Sequence, residues 1–452
     1  MVRRDFLSTI AAAVGLVWPT AHRIAQGANL ERSRPMPPNP SDRFPRYTQF
    51  DPLVPVWHIT PDCGPTIHRF FDTSPISPSG RYVGLTQFPS DDRMPEPGEA
   101  AEIVVVDLES GDQRIVAETR GWDTQLAAQT QWGADDTELF FNDMDTDEWR
   151  PFGVKLDPLS GARTDLDGTV YMVSPDGKFA ASPCLLRTGR TQAGYGVLAP
   201  PEHVPVNSGA AEDDGVYVTD TSTGDSKLLV SFKQIVDTAE PRIDLDEHPG
   251  GAFYGAHVKY NPQGTRIMLV LRWLPDEGGR KGMKKHVITM SADGGDIHVA
   301  IPDSEWSKGG HHPNWCPDGE TVMMNLKMDG KTLRFVRAKY DGSEYGTMSD
   351  DILGSGHPAL RPDGRFIVTD SYLKEPVAFG DGTTPIRLAD LKTGEVRNLV
   401  RMRTEPNYSG PKNELRVDPH PAWDYSFHRI AFNGCPEGVR GVYVADLGEV
   451  LG

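Results

Sequence analysis

The sequence predicts an all-β fold: a seven-bladed β-propeller whose ring is closed by pairing of an N-terminal strand with the last blade. Three observations carry that prediction. A polar tight turn recurs as Ser77-Pro78-Ser79-Gly80, Ser174-Pro175-Asp176-Gly177, Asn261-Pro262-Gln263-Gly264, Cys316-Pro317-Asp318-Gly319 and Arg361-Pro362-Asp363-Gly364, with degenerate copies at 132–136 and 423–427. Proline presets one φ angle of such a turn, aspartate caps it and glycine supplies φ > 0. An apolar run follows each copy, and strand–turn–strand units that repeat every several tens of residues mark a radial or stacked array. Finally, the last repeat shows only three strands, while the strand at 55–60 has no partner of its own. Joining the two closes the ring and covers exposed edges.

In chain order, inner strands are expected to begin near His68, Gln125, Val170, Tyr254, Gly310, Gly356 and Val417. Four of the repeats carry a clear third strand, at 102–107, 215–220, 384–390 and 441–446, rich in β-branched residues. The turns Ser110-Gly111, Thr223-Gly224 and Thr393-Gly394 lead on to a fourth strand. The 46 glycines and 38 prolines suit many short strands joined by turns, and no long helical periodicity interrupts them.

Ahead of the repeats, residues 1–28 read as a twin-arginine signal peptide. Arg3 and Arg4 precede an apolar run at 10–18, and small residues at 25–28 offer a cleavage region. That run is too short to span a bilayer comfortably, and no later segment is apolar enough. A periplasmic or secreted chain without a membrane span in its mature form is expected. A Pro-rich linker at 29–50 and a propeller at 51–452 complete the division. The net charge of −18 argues against nucleic acid as a partner and requires a locally basic mouth for any polyanionic ligand. Cys63, Cys184, Cys316 and Cys435 show no metal or disulfide spacing and read as packed thiols.

Residues at the start of the inner strands face one mouth of the central channel. Histidines stand there repeatedly: His68, His257, His312, His357 and His420, five of 13 in the chain. Any one of them alone is as well explained as a backbone-bonding structural residue. Imidazoles from separate blades converging on one axis point instead to a metal, for which imidazole is the commonest ligand. The residues leave the ion open.

At these positions the chain resembles the oligogalacturonate lyase family, seven-bladed propellers that act on pectin fragments. The family pattern of His, two residues, Trp, then Pro-Asp-Gly is met by His312, Trp315 and Pro317-Asp318-Gly319. Its next histidine and Val-x-Asp strand end are met by His357 and Val368-Thr369-Asp370. Its last motif is met in part by Asp418-Pro419-His420-Pro421, and its early His-Arg by His68-Arg69. The resemblance implies His312 as general base and His357 and His420 as ligands of a divalent, manganese-like ion. Asp418 stands where the family has a further histidine ligand, and Leu415 where it has a glutamine. Asn413 or Glu414 could replace that glutamine only by a slip of the loop. The family's substrate-binding arginine of the middle blade has no clear match and falls near Lys284-Lys285-His286.

The reaction so implied is β-elimination on a uronate-containing oligosaccharide such as oligogalacturonate. A base removes the C5 proton, and a cation offsets charge developing on the carboxylate. His68, Arg69, His257, Lys285 and Arg416 are the candidates to hold substrate, with His311 a competitor for the role of His312. Tyr254, Trp273, Trp306 and Tyr372 are candidates to stack on sugar rings. A monomer is expected. Two other readings compete. One is a non-catalytic periplasmic binding propeller similar to the TolB type. The other is a lyase for another uronate polymer, such as ulvan or a rhamnose-glucuronate chain.

Overall fold

The computed structural model describes residues 40, 42–275 and 280–451. The signal-peptide assignment and most of the linker lie outside the described residues. Seven four-stranded antiparallel sheets follow one another in chain order. Blade one is β2 (Thr66–Ile67), β3 (Tyr82–Gln87), β4 (Ala101–Asp107) and β5 (Gln113–Thr119), and blade two is β6 (Gln131–Trp132), β7 (Leu139–Asp145), β8 (Arg150–Leu156) and β9 (Arg163–Leu166). Blade three comprises β10 (Met172–Val173), β11 (Phe179–Ser182), β12 (Gly215–Asp220) and β13 (Ser226–Ser231), with helix α1 (Leu185–Thr191) inserted after β11. Blade four has the longest inner strand, β14 (Ala252–Tyr260), followed by β15 (Arg266–Leu274), β16 (Lys284–Ser291) and β17 (His298–Ile301). β18 (Gly310–Trp315), β19 (Thr321–Leu326), β20 (Arg334–Lys339) and β21 (Gly346–Thr347) form blade five. Blade six is β22 (Ala359–Leu360), β23 (Phe366–Thr369), β24 (Thr383–Asp390) and β25 (Val396–Arg403).

Blade seven closes the ring as expected. β26 (Ala422–Trp423), β27 (Arg429–Gly434) and β28 (Gly441–Asp446) are completed by β1 (Val56–His58), which pairs antiparallel with β28 in the register Val56↔Ala445, Trp57↔Val444 and His58↔Tyr443. The packed chain reaches back into the segment read as linker, where Phe44 and Tyr47 are buried among the blades.

The recurring turns work as their chemistry requires. In blade six the Asp363 carboxylate accepts the Arg365 N–H at 2.9 Å, while Gly364 adopts φ +69°. In blade five Asp318 accepts from Glu320 N and Thr321 N, and Gly319 adopts φ +71°. The tryptophan two residues before the turn proline, or before its degenerate counterpart, ties neighbouring blades together. The indole N–H of Trp132 donates to Pro75 O, that of Trp315 to Lys259 O and that of Trp423 to Ala359 O. The apolar cores lie between adjacent blades, which leaves the axis to polar and aromatic side chains.

Candidate active site

Three of the five histidines reach the axis through a strained backbone. His257, His312 and His420 adopt φ values of +51°, +60° and +51°, a region that costs a non-glycine residue about 1–3 kcal/mol. The pairing of β14 with β15 slips between Ala256 and Lys259, and that of β18 with β19 between His311 and Asn314. Such bulges bend an inner strand and re-aim a side chain. In blade six Gly356 does the equivalent work at φ +42°. A Cβ there would fall 1.9 Å from an Asp370 carboxylate oxygen, so only glycine admits that carboxylate beside the strand.

The rings converge on Phe70. Its centroid lies 5.5 Å from that of His257, 6.1 Å from His312, 5.6 Å from His357 and 4.7 Å from His420. His312 stacks on His357 at 3.7 Å, and His357 meets His420 edge-on at 4.3 Å. Ligand atoms of His357, Asp418 and His420 all lie within 4.8 Å of one another, and all three residues are buried. His357 Nε2 and both ring nitrogens of His420 have no hydrogen-bond partner. Buried polar nitrogens left this way are costly, and two imidazoles with one carboxylate make a donor set suited to a divalent transition-metal ion. The residues present therefore fit the metal that the resemblance implies.

Asp370 orients this group. Its Oδ1 accepts from His357 N at 2.6 Å, and its carboxylate faces His357 Nδ1 at 2.9 Å from both oxygens. Oδ2 also accepts from His420 N at 3.0 Å. A carboxylate behind a histidine fixes its tautomer and leaves Nε2 as the lone pair. Burial alone would raise the Asp370 pKa, but His357 and the hydrogen bonds hold it below the ordinary range. Asp370→Asn is expected to weaken metal affinity about 10–100-fold, as measured by competition with a chelator. An unchanged affinity would remove Asp370 from this role.

Beside the cluster, His312 Nδ1 donates to Gly356 O at 2.6 Å, and Nε2 faces the Tyr372 hydroxyl at 3.0 Å. His311, the competitor, is held between His312 and Glu375: its Nδ1 lies 2.8 Å from His312 Nδ1 and its Nε2 3.3 Å from Glu375. Burial first, then the facing imidazoles of His357 and His311, hold His312 well below the usual histidine range. It is a neutral imidazole near pH 7.

Cations gather on one side of this ring. Arg416 donates to Asp418 Oδ2 at 2.8 Å and to the Tyr195 hydroxyl at 3.0 Å. Arg272 is buried and donates to Thr191 Oγ1 at 2.8 Å and Gln192 Oε1 at 2.6 Å, with no ion pair among the described residues. Burial pulls it down to about 10. Arg280 lies close enough to Arg416 to have its own pKa depressed, after burial, by that charge. Lys285 pairs with Arg272 across β15 and β16, and its ammonium sits 5.0 Å from the Trp306 ring. Burial and then Arg272 bring it down to about 8.

Several sequence expectations are corrected here. His68 and Arg69 do not line the mouth but turn inward, each 1% exposed. His68 packs beneath Pro419, and Arg69 donates to Gln129, Asp72 and Thr73. His257 is also buried, and its Nδ1 is hydrogen-bonded to the Tyr171 hydroxyl at 2.7 Å. Leu415 packs in an apolar core, and Glu414 is turned to the Lys412 N–H. No slip of that loop brings either Asn413 or Glu414 into the His357–Asp418–His420 group. Tyr254, Trp273 and Trp306 are buried between blades, leaving Tyr372 as the half-buried aromatic of the four.

Asp370, Tyr195, Arg272 and Arg280 were missed as site residues. Asp370 had a signal, as the strand-end aspartate following His357. Tyr195 comes from the blade-three insertion after α1 and Arg272 from a second strand, so neither shares the histidine register.

No protein-family model and no curated protein matches the chain. Among solved structures it is similar to an oligogalacturonate lyase in complex with manganese, at 15% identity and TM-score 0.62, covering 92% of this chain and 98% of that one. It is likewise similar to oligogalacturonate lyase from Vibrio parahaemolyticus, at 14% identity and TM-score 0.61, covering 91% and 98%. A putative TolB from Agrobacterium tumefaciens aligns at TM-score 0.38 and 16% identity, over 74% and 94%. The first two likenesses span the whole ring, and the fold is that of these lyases.

Proposed function

We propose that this propeller is a lyase that cleaves uronate-containing oligosaccharides by metal-assisted β-elimination. Oligogalacturonate belongs on the substrate panel, because the two similar structures are named as oligogalacturonate lyases. The observation that carries the reading is the buried group of His357, Asp418 and His420, with ligand atoms within 4.8 Å of one another and unpartnered imidazole nitrogens, beside a neutral His312. A divalent, manganese-like ion held there would offset the charge that develops on the uronate carboxylate as C5 loses its proton.

The chain's own residues do the rest. Arg416, Arg280 and Lys285 supply the basic surface that a chain of net charge −18 needs to hold an acidic sugar, Arg in a forked geometry and Lys285 as a point charge, with Arg272 buried beside Lys285. His312 takes the C5 proton at Nε2, its Nδ1–H held by the Gly356 carbonyl. Asp370 keeps His357 and His420 in place. Phe70 closes the channel behind the imidazoles and keeps water from their inner side. The twin-arginine signal, a periplasmic or secreted location, a monomeric state and the absence of a nucleic-acid partner belong to the same proposal. Among the described residues no helix is long and apolar enough to cross a membrane.

Elemental analysis of the purified protein, with an absorbance assay for the 4,5-unsaturated product, tests the reading. About one divalent ion per chain and product from at least one uronate oligosaccharide are expected. A metal-free protein that releases no product from pectic, ulvan or glucuronate oligomers would leave the binding-propeller reading in its place.

A further inference from the structure

We propose that Tyr372 is a second catalytic residue, coupled to His312 as one acid–base pair that works from a single face of the sugar ring. The inference rests on the β-elimination reading above. His312 Nδ1 donates to Gly356 O, so Nε2 is an acceptor, and the donor facing it is the Tyr372 hydroxyl at 3.0 Å. The phenol is held for this task. Glu375 accepts the Tyr372 N–H at 2.9 Å and the Gly356 N–H at 3.1 Å, and faces His311 Nε2 at 3.3 Å. One carboxylate thus fixes both the backbone that carries the phenol and the glycine that holds the imidazole. Tyr372 is half-buried on the solvent side of the cluster, whereas His357 and His420 are enclosed.

The step balances within the pair. Bound substrate draws the phenol hydrogen from Nε2 toward the glycosidic oxygen on C4, freeing the imidazole lone pair. Nε2 takes the C5 proton, and the C–H electron pair becomes the C4=C5 double bond. The C4–O bond breaks with its electrons on oxygen, and Tyr372 delivers its proton there. The proton on His312 then returns to the phenolate across the same 3.0 Å contact. Both residues are restored, and no further acid or base is consumed.

Two atoms this close cannot straddle a pyranose ring. The couple therefore serves only a uronate whose C5–H and C4–O bonds lie on the same side. In the usual chair that is the equatorial O4 of a glucuronate-type residue, whereas the axial O4 of galacturonate lies opposite H5 and needs acid and base on opposite faces. The substrate class this geometry selects is a 4-O-linked glucuronate-type oligosaccharide.

The test compares glucuronate-type and galacturonate oligomers with the metal-loaded protein and its Tyr372→Phe variant, following the unsaturated product. Faster turnover of the glucuronate-type oligomer is expected. In Tyr372→Phe, kcat should fall about 10²–10⁴-fold, with KM and the melting temperature little changed. Turnover of galacturonate oligomers alone, or a Tyr372→Phe enzyme with the parent kcat, overturns the inference and leaves the lyase reading standing. No product from either oligomer defeats the lyase reading, and the inference with it.

Discussion

Replacing His312 by alanine is expected to lower kcat about 10²–10⁴-fold on whichever uronate oligomer is turned over, and to leave metal content at the parent level. His312 lies outside the group formed by His357, Asp418 and His420. Its Nδ1 is committed to the Gly356 carbonyl and its Nε2 to the Tyr372 hydroxyl, so it has no free lone pair turned to an ion. His357→Ala makes the opposite pattern, because its Nε2 is one of the unpartnered nitrogens of the group. That variant should lose both ion and activity. Elemental analysis beside steady-state kinetics separates the two. If His312→Ala lost metal in step with activity, the division between base and ligand would be wrong.

A second large effect is expected beneath the ring, on stability rather than rate. The Asp72 carboxylate is fully buried between two cations, Arg69 Nη1 at 2.9 Å and Lys259 Nζ at 3.0 Å, and both of these side chains are themselves 1% exposed. Lys259 also donates to Pro313 O at 2.8 Å, which joins the network to the strand that carries His312. Replacing a well-packed ion pair by apolar groups is often tolerated, but removing one partner strands the rest. Asp72→Ala leaves two uncompensated buried cations and should cost about 3–5 kcal/mol in denaturant unfolding. A loss below about 1 kcal/mol, the worth of an exposed pair, would show that water reaches the network.

Acid should reveal the same centre. Burial pushes the Asp72 pKa up, but the Arg69 and Lys259 charges outweigh it and leave it lowered. An aspartate lowered in the fold contributes stability that is complete above its unfolded value of about 3.9 and is lost as pH falls through the folded one. His68 acts earlier. Burial brings it down to about 4, so the unfolded chain binds its proton first. Its contribution is complete above about 6.5 and declines as pH falls from there toward 4. Stability measured against pH should therefore fall in two stages, and Asp72→Ala should shrink the lower one, to which the lowered Asp370 also contributes.

The spacing in the chain already separated His68 from its supposed companions. His257, His312 and His357 each stand five residues before a turn proline, and His420 five before its degenerate counterpart Tyr425, whereas His68 precedes Pro78 by ten. The position in register in blade one is Thr73, and Arg69 donates to it from inside the channel. The extra residues let the chain leave β2 and cross the axis, which carries Phe70 to the centre of the imidazoles. The positive φ of three histidines gave no local signal, since histidine, though enriched in that region, adopts it too seldom for the residue type to announce it.

Blade number, ring closure and the common register of His257, His312, His357 and His420 were determined by the sequence alone. Turn chemistry and strand alternation act over a few residues, so they remain readable in an unfolded chain. Which of those side chains meet, and what meets them, was decided only by the tertiary structure. Tyr372 reaches His312 over a separation of 60 residues and Arg416 reaches Tyr195 over 221, through loops and an insertion that no repeat governs. Contacts of that range depend on where seven sheets place their edges around one axis, and no local pattern encodes that placement.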